Sequence, residues 1–91
     1  MPRVATDAAA QIGRNVVKIR QAVGLTQDEV AAASGIDSSN IRAYEHGRAM
    51  PSIQSLLRIA SALGAVPGEL LEDVTLDMFG TPSHDGRRRA G

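Results

Sequence analysis

A chain of 91 residues has room for one small domain, which buries only a modest share of its surface. It has no cysteine and two histidines far apart, His46 and His84, which excludes disulfides, thiolate nucleophiles and thiolate metal sites. Ten Lys and Arg balance ten Asp and Glu, so the bulk charge gives no sign of a nucleic-acid partner. The balance is uneven along the chain. Residues 1–64 carry Arg3, Arg14, Lys18, Arg20, Arg42, Arg48 and Arg58 against Asp7, Asp28, Glu29, Asp37 and Glu45. Residues 65–86 hold only acids (Glu69, Glu72, Asp73, Asp77, Asp85), and Arg87, Arg88 and Arg89 restore neutrality. A mildly basic body thus precedes an acidic segment. No apolar run approaches a membrane span, and MPRVATDAAAQIGRNVV has no apolar signal core. A soluble cytoplasmic protein with no membrane contact is expected.

Residues 1–7 are assigned to an N-terminal arm. Ile12, Val16, Ile19 and Val23 step by four, three and four, which marks one face of a first helix. Thr6 or Asp7 starts it and Gly24 stops it. Thr26 followed three residues later by Glu29 is a capping box and opens a short second helix. Val30 and Ala31 point inward, and Gly35 ends it. Asp37 or Ser38 caps a third helix, with Ile41 and Tyr44 facing the core and Gly47 closing it. Pro51-Ser52 opens a fourth helix, with Ile53, Leu56, Leu57, Ala60 and Leu63 expected on its buried face and Gly64 at its end. Pro67 pre-sets a fifth, with Leu70 and Leu71 inward.

Beyond Asp73 the pattern divides. Val74 to Phe79 alternates as a strand would, and it equally continues a helix through Leu70, Leu71, Val74 and Met78. GTPSHDGRRRAG has no core-forming residues and is expected to be a disordered tail. The expected architecture is all-α: a five-helix bundle over residues 8–73, then an extension and tail over 74–91. No metal-ligand spacing and no phosphate-binding glycine loop is present, so no enzyme activity, metal or cofactor is expected.

Two short helices joined by a tight glycine-containing turn suggest a helix-turn-helix. The detailed sequence goes further. LTQDEVAAASGIDSSNIRAYEHGRAMPSIQSLLRIASALG, Leu25 to Gly64, resembles the lambda-repressor-like, or XRE, helix-turn-helix family. The shared features are the Thr-Gln opening of helix 2, the turn glycine, the Glu-x-Gly closing helix 3, the Pro-Ser before helix 4 and the Ala-Leu-Gly at its end.

The resemblance implies that helix 3 enters the DNA major groove while helix 2 crosses the backbone. Ser38, Ser39 and Asn40 then occupy the turn that meets base edges. Asn pairs bidentately with adenine, and serine serves a base or a phosphate. Arg42, one turn on, would grip guanine or phosphate. Gln27 matches a family position that contacts the DNA backbone or an adjacent base, with Thr26 beside it. Arg48 and Arg14 are placed for phosphates. Asp37 either caps helix 3 or accepts from a cytosine amino group. In the family, an arginine ending helix 1 and the glutamate of Glu-x-Gly form a partly buried ion pair, and Arg20 and Glu45 stand at those positions.

The implied function is sequence-specific binding of double-stranded DNA by a transcriptional repressor. It would act as a homodimer on a palindromic operator. Leu70, Leu71, Val74, Leu76, Met78 and Phe79 supply the apolar surface assigned to dimerisation. The alternative is a protein-interaction module, as in antitoxins and coactivators of this fold, with the same segment binding a protein partner.

Overall fold

In the computed structural model, which describes residues 6–80, each of the four longer helices begins at a residue whose side chain satisfies a free backbone amide. Thr6 Oγ1 accepts from Ala9 N at 3.0 Å and opens α1, Asp7–Ala22. Thr26 and Glu29 form the reciprocal capping box of α2, Gln27–Ser34, at 3.0 and 2.8 Å. Asp37 caps α3, Ser38–Glu45, and Ser52 caps α4, Ile53–Leu63. Pro67 begins α5, Pro67–Leu70, where the Glu69 carboxylate accepts from Val66 N at 2.9 Å. Gly35 and Gly64 end α2 and α4 in the left-handed region that an L side chain disfavours, with φ of 75° and 69°.

Asp7, assigned to the N-terminal arm, is the first residue of α1. The rest of the expected arm, residues 1–5, and the expected tail from residue 81 lie outside the described residues.

The described chain is all-helical and holds no strand. Its core gathers Ile12 and Val16 of α1, Val30 of α2, Ile41 of α3, Leu56, Ile59, Ala60 and Leu63 of α4, and Leu70 of α5. Ile36, in the α2–α3 turn, is buried with them. Tyr44 is half-buried against this cluster.

Several expected positions differ. Ile53 and Leu57 are exposed, at 74% and 48%. Leu57 is one residue around the axis from Leu56, a turn of about 100° that carries it off the buried stripe. Ile59, which the sequence reading omits from that stripe, is fully buried. Val23, expected to continue the face of α1, is its exposed C-cap, and Leu71 is exposed just past α5. Residues 74–79 are neither strand nor α-helix. Asp73 takes φ 65°, breaking the helical run, and one 3₁₀ turn follows at Leu76–Met78.

Candidate nucleic-acid interface

α3 is amphipathic across its short length. Ile41 is fully buried, whereas Ser39, Asn40 and Arg42 are exposed and Ser38 is partly covered. The polar cluster therefore forms an outward first turn, held to the body by the residues between and behind it. Asp37 Oδ2 accepts from Ser39 N at 3.3 Å and also from Ser39 Oγ. The carboxylate, left open between cap and contact in the sequence, is thus engaged as the cap. The Ser39 hydroxyl, its backbone N–H and the Arg42 charge hold the Asp37 carboxyl below the ordinary aspartate range.

The other end of α3 is clamped. Glu45 is buried, and its carboxylate accepts from Arg20 Nε at 2.6 Å, Arg20 Nη2 at 3.1 Å and Gln27 Nε2 at 2.7 Å. Arg20 Nη1 also donates to the Leu25 carbonyl at 2.9 Å. One ion-pair network therefore joins the end of α1, the α1–α2 loop, the start of α2 and the end of α3. A buried charge of this kind persists only with full pairing.

Backbone packing tightens the same contact. A Cβ on Gly13 of α1 would collide with the Tyr44 and Glu45 carbonyl oxygens, the latter at 2.6 Å. Gly47, at φ 73°, leaves equally little room, since a Cβ there would lie 2.9 Å from Ala10 Cα. Both close approaches were missed in the sequence. A glycine inside a helix breaks no apolar period, and what it faces is set by the fold.

The remaining candidates separate. Gln27 is half-buried and reaches the end of α3 at Glu45. One amide hydrogen is committed to Glu45, and the other hydrogen and the carbonyl oxygen make no hydrogen bond among the described residues. Thr26 is exposed but spends its hydroxyl on the capping box. Arg48 is exposed just past α3. Arg14 bonds Gln11 Oε1 on its own helix at 2.6 Å, and no hydrogen bond ties it to α2 or α3.

The dimerisation set also divides. Leu70 is fully buried in the core and is corrected: it offers nothing to a partner. Val74 is half-buried against the core, and Met78 is half-buried. Leu71, Leu76 and Phe79 are exposed at 42%, 87% and 47%. Among the described residues no acidic, histidine or cysteine cluster is grouped to hold a metal ion. No helix there is long and apolar enough to cross a membrane.

Comparison with known proteins agrees with this architecture. The helix-turn-helix family profile matches residues 16–71. An uncharacterized HTH-type transcriptional regulator of Sinorhizobium fredii is 36% identical over 75 residues, which covers 82% of this chain and 97% of the relative. The restriction-modification controller protein C.AhdI of Aeromonas hydrophila is 34% identical with a TM-score of 0.67, covering 68% of this chain and 94% of that one. The clp gene regulator ClgR of C. glutamicum is 28% identical with a TM-score of 0.67, covering 70% and 83%. These relatives are regulators rather than enzymes, and the match spans the capped helices and the turn described above. The chain belongs to the helix-turn-helix family and is a transcriptional regulator built on that DNA-binding domain.

Proposed function

We propose that the protein is a cytoplasmic repressor that binds a palindromic DNA operator as a homodimer, with the exposed first turn of α3 as its reader. One observation carries the reading: Ser38, Ser39, Asn40 and Arg42 face outward on a helix whose opposite face and far end are fixed. Asn40 pairs with adenine and Arg42 with guanine or a phosphate. Because Ser39 gives its proton to Asp37, its free lone pairs favour an amino group, adenine N6 or cytosine N4. Gln27 and Arg48 flank the far end of α3 and take phosphates there. Leu71, Leu76 and Phe79 meet their counterparts across the two-fold axis. Half-sites then lie about 34 Å apart, one turn of duplex.

Selection of bound duplexes from a random pool, followed by titration of the recovered site, tests this. Asn40→Ala and Arg42→Ala should each cost about 1–3 kcal/mol on the recovered site and relax its preference. Arg48→Ala should weaken all duplexes alike and lower the salt slope by about one. Unchanged site preference in Asn40→Ala and Ser39→Ala together sinks the reader. No affinity for any duplex at low salt sinks DNA binding itself, and leaves exposed Leu71, Leu76 and Phe79 as a protein-docking surface.

A further inference from the structure

We infer that Asn15 is a positioning residue for the dimer: from α1 it grips the backbone at the end of α5 and fixes the turn that carries Leu71, Leu76 and Phe79 outward to a second copy of the chain. The inference rests on the homodimeric reading above.

α5 is four residues long, too short to hold itself as an isolated helix. At its end Leu71 N and Glu72 N donate to the Gly68 and Glu69 carbonyls, which leaves the Leu70 and Glu72 carbonyls without backbone donors among the described residues. Asn15 supplies them. It is 8% exposed, and its Nδ2 donates to the Leu70 and Glu72 carbonyls, each at 2.9 Å. Both amide hydrogens are thereby used. These bonds tie positions 55 and 57 residues apart.

The polarity of the link is forced. Two carbonyls require the amide nitrogen, so Asn15 Oδ1 must face the other way and accept. Gln11 Nε2 donates to it at 3.0 Å, and Gln11 Oε1 then accepts from Arg14.

Asp73 follows at φ 65°, in the left-handed region that aspartate adopts more readily than most non-glycine residues, and turns the chain out of the helical run. Val74 N donates back to Leu71 O at 3.0 Å, and the Val74 side chain packs on the core. The backbone is thus pinned before Asp73 by Asn15 and after it by Val74. Leu71 stands out between those anchors, with Leu76 and Phe79 beyond the second.

The test measures dimer dissociation by sedimentation equilibrium for the full chain and for Asn15→Asp and Asn15→Leu. Asp keeps the shape but has no donor, and Leu keeps the burial. Val30→Ala, a core change on α2, serves as a control for general destabilisation. At a temperature where all are folded, both Asn15 variants should dissociate about tenfold more readily than the control, as expected when buried acceptors lose their donor. Gln11→Ala, on a half-buried position, should loosen the dimer less, with the melting temperature unchanged. A dimeric parent whose Asn15 variants dissociate no more than Val30→Ala overturns the role of Asn15. If the Asn15 variants do not fold, Gln11→Ala decides, and an unchanged dimer overturns the inference. A parent that is monomeric at tens of micromolar overturns the assembly itself, a separate and distinguishable failure.

Discussion

Three donors converge on the Glu45 carboxylate, two from Arg20 and one from Gln27. Its removal would leave the Arg20 guanidinium without its counter-charge at a site where neither partner is well solvated. Glu45→Ala should therefore cost about 3–5 kcal/mol, a large part of the stability of a domain this size. Thermal unfolding reads it directly, and an unchanged midpoint would exclude the network. Asp37 makes a subtler contribution. Its carboxyl is held below the ordinary aspartate range by Ser39 and then by Arg42. The unfolded chain therefore takes up the proton first as pH falls. The stabilisation is present above the ordinary aspartate value, near pH 4, and is lost as pH drops through the lower folded value. Asn caps comparably without titrating, so Asp37→Asn should retain the helix and flatten that part of the acid limb in melts from pH 5 to pH 2. An acid limb identical to the parent's would show that Asp37 contributes nothing to it. The two residues differed in how openly the sequence displayed them. Glu45 and Arg20 stood in a recognisable motif. Asp37 had two equally good chemical uses, and only the position of the Ser39 hydroxyl and amide separates them.

At the level of elements, α1 and α3 touch backbone to backbone. A glycine inside a helix is ordinarily improved by alanine by about 1 kcal/mol. Gly13→Ala should do the reverse. Its methyl has no space against the Tyr44 and Glu45 carbonyls, so α3 must shift or α1 must bend, at a cost of about 1–3 kcal/mol. Urea unfolding of the two proteins decides the sign, and a stabilised variant would mean the helices part freely. The helix starts and stops were legible because they depend on local chemistry: Thr26 with Glu29, Ser52, Gly35 and Gly64. The packing between helices was not. Ile53 and Leu57 lie near enough to the buried stripe of α4 to pass for it, whereas Ile59 completes it. Leu70 and Leu71 are adjacent and chemically alike, yet one is core and the other surface, because only the first faces inward from a single turn of helix. Val74 to Phe79 fitted two periodicities and adopts neither, since Asp73 breaks the helical run in a left-handed conformation that no local pattern announced.

Across the whole molecule, charge and packing are divided. Among the described residues every Lys and Arg precedes Gly64, and the residues after Gly64 carry acids alone. A partner approaching α3 meets the exposed Arg42 and Arg48. If DNA is that partner, log affinity should fall linearly with log salt, with a slope near 0.9 per phosphate neutralised. Equilibrium binding at several salt concentrations gives that slope, and a flat response would rule out phosphate contacts as the driving force. Ser39, Asn40 and Arg42 contribute no side chain to the core, while Ile36, Ile41, Tyr44 and Glu45 carry the anchoring. Those three codons are therefore free to drift without unfolding the protein. With the proposed reader, a gene duplicate would acquire a new target through a handful of substitutions there, and near relatives sharing this scaffold need not share a binding site.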